Sequence, residues 1–175
     1  MKKILLLIML LIPFNVVAMS ASSMVAVDLD NDYVYFDANK DDKRLIASIT
    51  KIMTTIVTIE NIDIDKEITV GKEVLKAYGS AIYINVGEKI TIRDLLYGLI
   101  MRSGNDAAIV LAKNVAGSME GFAHLMNELA SNIGMKNSNF VNAHGLEEND
   151  GSANYSTAYD MAGVFFYSPE KIFFF

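Results

Sequence analysis

Cysteine is absent from the 175 residues. That excludes thiol nucleophiles, thiolate zinc sites and structural disulfides. Histidine is scarce, with His124 and His144 alone. There is no H-E-x-x-H helix for a metal and no G-x-S-x-G nucleophile elbow. Positive charge is also in deficit: 15 Lys and Arg stand against 21 Asp and Glu, a net charge of −6. Phosphate binding needs a basic surface, so no nucleic-acid partner is expected. No second long hydrophobic span follows the one at the N-terminus, and no internal repeat or low-complexity linker is seen.

Hydrophobic residues make up 52% of the chain, enough for a sizeable core in one domain or part of a larger one. Some of that excess lies at the start. Lys2 and Lys3 precede an apolar run over residues 4–12, then Pro13, then the small residues Ala18, Ser20 and Ala21. This is the layout of a secretory signal peptide, assigned to residues 1–21. The alternative is a membrane anchor, but the run is shorter than the roughly 20 residues a span needs. The expected location is exported, in the periplasm or at the outer face of the cytoplasmic membrane.

Residues 24–29 and 33–36 are apolar runs on either side of Asp30-Asn31-Asp32, which predicts a β-hairpin. The spacing of Asp28, Asp30 and Asp32 resembles a calcium loop, but Tyr33 stands where glycine is needed and Asn39 where a bidentate glutamate is needed. Residues 48–60 have strand-like propensity, yet their length and the spacing of Ile49, Ile52, Met53 and Ile56 predict a buried helix. Residues 67–70 and 82–85 are short strand candidates. Thr91-Ile92-Arg93-Asp94 opens a helix with a capping-box pattern, running to about Met101. Ser103-Gly104-Asn105 interrupts it, and a second helix follows over 106–115. Ser118 caps a third, with Phe122, Leu125, Met126, Leu129 and Ile133 as its apolar face and Gly134 at its end. Residues 142–154 read as a polar loop, and Thr157 begins one more helix.

Neither histidine has a recognisable third partner, so a histidine-based triad is a poor expectation. Ser48-Ile49-Thr50-Lys51 offers another arrangement. Three residues apart on a helix puts both side chains on one face, near free N–H groups and the positive dipole end. A lysine becomes a base when burial lowers its pKa, and Ile49, Ile52 and Met53 supply apolar surroundings. The first-turn N–H groups could form half of an oxyanion hole. The spacing alone is weak. Ser168 and Lys171 share it, and both Ser103-Gly104-Asn105 and Ser152-Ala153-Asn154 fit S-x-N. A helix cap or polar turn explains any one of them. Order favours Ser48, because an S-x-N lies downstream of it and none follows Ser168.

Residues 45–54, LIASITKIMT, resemble the active-site segment of the low-molecular-mass penicillin-binding proteins, serine-type D-Ala-D-Ala carboxypeptidases of peptidase family S11. The same holds for Leu95-Leu96-Tyr97-Gly98-Leu99, for residues 102–107, RSGNDA, for Gly117-Ser118, Met126-Asn127, Gly134-Met135 and His144-Gly145-Leu146, and for residues 155–162. The resemblance runs from about Val25 to Ala162. It implies an α+β fold of the serine β-lactamase/DD-peptidase-like transpeptidase type, with an N-terminal β-hairpin and a helical subdomain. It also implies that Ser48 attacks the carbonyl between the terminal D-alanines of a peptidoglycan stem peptide, that Lys51 takes the serine proton, and that Ser103 relays a proton to the leaving amine. Asn105 would bind the substrate backbone and help hold Lys51. β-Lactam antibiotics would acylate the same serine. No metal or organic cofactor is implied.

The family's third motif, K-T-G, is not in the chain. Residues 22–175 are therefore expected to be a partial DD-peptidase catalytic domain, C-terminally truncated, with the later sheet strands missing. Membrane association is expected only through a missing C-terminal segment or an uncleaved signal. Two alternatives stand beside the carboxypeptidase: an inactive truncated fragment or β-lactam-binding remnant, and a serine β-lactamase, for which Glu147 and Glu148 have no recognisable context as deacylating base.

Overall fold

The structure is a computed structural model that describes residues 20–28 and 30–167. Residues 1–19 of the predicted signal peptide, Leu29, and the Ser168 and Lys171 spacing with the aromatic end lie outside the described residues. Among the described residues the architecture is α+β, as expected: a hairpin, two very small sheets and five α-helices.

Strands β1 (Met24–Asp28) and β2 (Tyr33–Ala38) pair antiparallel, with an irregularity between Ala26 and Val27. The turn is held locally. The Asp28 carboxylate accepts from the Asp30 amide, the Asn31 side chain and the Tyr35 hydroxyl. This is the turn chemistry expected of closely spaced Asp and Asn.

Helix α1 (Thr50–Asn61) runs through the centre of the molecule, with Met53, Ile56 and Val57 fully buried. Its threonines should disfavour a helix. Their hydroxyls are satisfied inside it instead: Thr55 donates to the Lys51 carbonyl and Thr58 to that of Thr54. Burial then outweighs propensity, because each fully buried large apolar side chain is worth about 1.5–3 kcal/mol and propensity only a few tenths.

Around α1 lie α2 (Ile92–Arg102), α3 (Asn105–Ala116) and α4 (Met119–Asn132). Thr91 and Ser118 cap α2 and α4 by accepting the Asp94 and Gly121 amides. Leu95, Leu96, Leu99, Leu111, Phe122 and Met126 close the core against α1. Helix α5 (Ala158–Tyr167) packs on β1.

One strand expectation needs correction. Residues 82–85 are not a strand. They form an irregular segment with Tyr83 at φ +64°. The strand that pairs with β4 (Glu67–Thr69) is β5 (Lys89–Thr91). Residues 142–154 are a polar loop without helix or strand, as expected, and Asn142, His144 and Asn154 within it are buried. The short strands β3 (Arg44–Leu45) and β6 (Tyr155–Ser156) also pair, bringing that loop onto the chain just before Ser48. Among the described residues, no helix is long and apolar enough to cross a membrane.

Candidate active site

Ser48 does not lie on α1 itself. It sits in a 3-10 turn, Ala47–Ile49, that leads into the helix. Ala47 has a left-handed backbone, φ +43°, which is costly for any residue but glycine. The turn is held from behind. The Ile46 amide donates to the Asn154 carbonyl at 3.3 Å, and the Asn154 side chain donates to Thr50 Oγ1 at 2.9 Å. Gly145, at φ +87°, lies against the Ala47 carbonyl so closely that a Cβ would overlap it. Ser48 is left on an exposed face.

Lys51 follows one turn later and is 3% exposed. Its Nζ meets three oxygens: Asn105 Oδ1 at 2.9 Å, the His144 carbonyl at 2.8 Å and Ser48 Oγ at 3.3 Å. No carboxylate is among them. Burial therefore pushes the ammonium down from the ordinary 10.5 to about 8. The geometry is informative about the neutral form. A neutral amine has two N–H bonds and one lone pair. An amide oxygen and a carbonyl can only accept, so they take both N–H bonds, and the lone pair is left for the Ser48 hydroxyl.

Ser103 reaches the same hydroxyl from the break between α2 and α3. Its Oγ donates to Ser48 Oγ at 3.1 Å. Ser103 caps α2 in a left-handed conformation, φ +55°. Asn105 opens α3 and is fixed on both sides. Its amide donates to the Ser80 carbonyl, and Nδ2 donates to the Tyr78 carbonyl, both at 2.7 Å. Nδ2 keeps a second N–H for another acceptor. All four sequence candidates, Ser48, Lys51, Ser103 and Asn105, thus meet in one cluster. The competing Ser152-Ala153-Asn154 does not join it. Its Asn154 is a buried brace beneath the Ser48 turn, and its Ser152 bonds Asp150.

Sequence reasoning missed three contributors. The His144 backbone carbonyl is a Lys51 partner, although the ring faces Leu146 and Glu148. The Asp106 carboxylate accepts from the Ile82, Ile84 and Ala107 amides and shapes the wall beside Asn105. Asn142 organises the His144 loop through Gly145, Leu146 and Glu148. The available signal was the crowding of Asn between residues 137 and 154, since such side chains readily stand in for backbone partners in turns. Among the described residues, no group of three or more His, Asp or Glu is placed to hold a metal ion.

This cluster can be set against known proteins. The peptidase S11 model, described as D-alanyl-D-alanine carboxypeptidase, matches residues 13–171. This chain belongs to that family. Within it, the chain is 35% identical over 150 residues to D-alanyl-D-alanine carboxypeptidase DacF of Bacillus subtilis, an alignment covering 83% of the chain and 38% of the relative. It is 36% identical over 156 residues to DacC of Escherichia coli, with the same two coverages. The solved DacD from Francisella tularensis superposes with a TM-score of 0.80 at 34% identity, covering 87% of this chain and 38% of that one. Penicillin binding protein 6B from Escherichia coli gives 0.77 at 32%, covering 84% and 49%. The carboxypeptidase-family chain therefore spans about two fifths of the length of the curated relatives it matches. The fold of these neighbours is the one expected from the sequence.

Proposed function

We propose that this chain carries the nucleophile half of a serine D-alanyl-D-alanine carboxypeptidase. The observation that carries the proposal is the buried Lys51 Nζ, without a carboxylate among its hydrogen-bond partners and 3.3 Å from Ser48 Oγ. Ser48 Oγ attacks the carbonyl carbon of the terminal D-Ala-D-Ala bond of a peptidoglycan stem peptide while its proton passes to Lys51 Nζ. The Ser48 amide at the head of the 3-10 turn donates to the oxyanion. Collapse breaks the C–N bond. The leaving amine takes its proton through Ser103 Oγ, D-alanine departs, and water hydrolyses the ester. The free N–H of Asn105 Nδ2 binds a substrate carbonyl. A β-lactam acylates Ser48 by the same steps, with its ring amide as the broken bond.

A serine β-lactamase needs a base that deacylates quickly. Glu148 accepts from Asn142 and lies beside His144, and Glu147 is exposed. Neither supports that reading. The chain contains no Lys-Thr-Gly, the motif expected to bind the substrate carboxylate and complete the oxyanion hole. For a polypeptide of these 175 residues alone, we expect slow covalent labelling by penicillin and poor release of D-alanine. Export to the cell envelope, through the N-terminal signal, belongs to the same proposal.

The test is labelling of the purified chain with a fluorescent penicillin. A stable adduct that Ser48→Ala abolishes supports the reading. Rapid turnover of the β-lactam would replace it with the β-lactamase. D-alanine release at the rate of an intact enzyme, lost in Ser48→Ala, would overturn the expectation of poor turnover.

A further inference from the structure

His144 is buried and its ring takes no part in the mechanism above, yet its backbone oxygen is one of the three groups around Lys51 Nζ. The loop that carries it, residues 142–148, contains neither helix nor strand. Side chains give it its shape. Asn142 Oδ1 accepts the Gly145 amide at 2.7 Å, and Asn142 Nδ2 donates to the Leu146 carbonyl at 2.8 Å and to Glu148 Oε1 at 2.7 Å. His144 Nδ1 accepts the Leu146 amide at 3.1 Å. That last bond fixes the tautomer, with the hydrogen on Nε2, which faces Glu148 Oε1 at 3.8 Å.

A proton on the ring changes the circuit. Nδ1 becomes a donor and can no longer accept from Leu146. At the same time Nε2–H becomes cationic and is drawn toward Glu148, the carboxylate that Asn142 also uses. The loop would trade its Leu146 contact for a Glu148 contact, and the His144 carbonyl moves with the ring. Other groups facing His144 are the Lys51 ammonium behind its own carbonyl and the Tyr78 ring at 6.1 Å. Across a cavity of about 1010 Å³ stand Lys72, Lys76 and Lys113, with Glu73, Glu120 and Asp150. These six balance in charge, so Glu148 and Lys51 dominate by proximity.

We propose that His144 is a positioning residue for the Ser48 and Lys51 pair: while neutral it holds the 142–148 loop so that its own carbonyl grips Lys51, and protonation loosens that grip. The inference rests on the reading of Lys51 as the base. Burial holds the imidazole below its ordinary 6.5, with Lys51 acting in the same direction and Glu148 opposing. The neutral, gripping form therefore persists at neutral pH, and the loss belongs to the acid side of 6.5.

The test follows His144 by NMR titration of the full chain. Hydrogen exchange of the Leu146 amide, corrected for its intrinsic pH dependence, and the Lys51 side-chain resonances are followed in parallel. Both should change with the His144 midpoint. Penicillin acylation adds a kinetic readout. Protonation of Lys51 alone lowers the rate about tenfold per pH unit below 8. Around the His144 midpoint the fall should become steeper than about tenfold per pH unit, because a second proton now inhibits. His144→Asn places an untitratable acceptor near Nδ1. It should keep Leu146 protected, stay within about threefold of the parent rate at pH 7.5, and retain the single-proton slope. His144→Ala should lose at least about tenfold at that pH. A Leu146 amide and Lys51 resonances indifferent to His144 titration, or the same two-proton slope in His144→Asn, would overturn the proposal. Absence of acylation at every pH would count against the carboxypeptidase reading, and the positioning role of His144 would then stand or fall on the Leu146 and Lys51 signals.

Discussion

Lys51 Nζ and Asn105 Oδ1, 54 positions apart in the chain, lie 2.9 Å apart inside the protein. The acceptor is neutral, which leaves burial free to lower the lysine toward about 8. Asn105→Asp would place an anion at that distance and favour the ammonium. The pH dependence of penicillin acylation should then move upward. For every pH unit that its midpoint rises, the rate at pH 7 should fall about tenfold. An unchanged profile in Asn105→Asp would mean that Lys51 is not the titrating base.

The same depressed value has a consequence for stability. Unfolded Lys51 titrates at the ordinary 10.5 and folded Lys51 at about 8. Between these values the unfolded chain binds more protons, so stability rises with pH and is lost as pH falls from 10.5 through 8. The difference amounts to roughly 3 kcal/mol at about 1.36 kcal/mol per pH unit. Lys51→Met should abolish this rise while destroying acylation. It should also leave stability at pH 7 unchanged or higher, because the buried charge is gone. Urea unfolding at pH 7.5 and pH 10 for both proteins measures it.

What could be read in the sequence follows the physical scale of each signal. Thr91, Ser118 and Thr157 announce helix starts because a cap is local, and each does cap a helix or its first turn. The buried helix at Met53 and Ile56 was legible because its length and spacing outweigh its β-branched residues. Ser48, Lys51, Ser103 and Asn105 were legible through their motifs and flanking segments, and the fold brings all four together. The strand candidate at Ile82 and Ile84 failed for a non-local reason. Its amides bond the carboxylate of Asp106, more than twenty residues away, instead of a neighbouring strand. The His144 carbonyl was invisible for a similar reason, since every residue has a carbonyl and only the tertiary fold selects this one.

Asp106 itself yields a prediction. It is 2% exposed and bonds the Ile82, Ile84 and Ala107 amides. Asp106→Ala would leave these donors without their acceptor, at a cost of about 1–3 kcal/mol for each buried one, Ile84 and Ala107, and less for the half-buried Ile82. A total loss of roughly 3–5 kcal/mol is expected by denaturant unfolding. Tyr83, between the two clamped isoleucines, is left-handed and 82% exposed. Tyr83→Gly would remove a strain of about 1–2 kcal/mol against a glycine entropy cost of about 0.5–1 kcal/mol. It should therefore be neutral to stabilising by about 1 kcal/mol. A clear destabilisation would show that the Tyr83 ring holds the segment in place.

Gly145 separates position from stability. Its φ of +87° and its contact with the Ala47 carbonyl leave no room for a methyl group. Gly145→Ala must push the 144–146 loop away from the turn that carries Ser48. The His144 carbonyl that holds Lys51 is on the residue immediately before it. A displacement on the order of 1 Å in reacting groups can cost about a hundredfold in rate. The left-handed strain alone costs about 1–2 kcal/mol in stability. Gly145→Ala should therefore remain folded, with circular dichroism unchanged at 25 °C, while penicillin acylation falls at least about a hundredfold. Equal acylation by the folded variant would show that the loop is not needed to set Lys51 against Ser48.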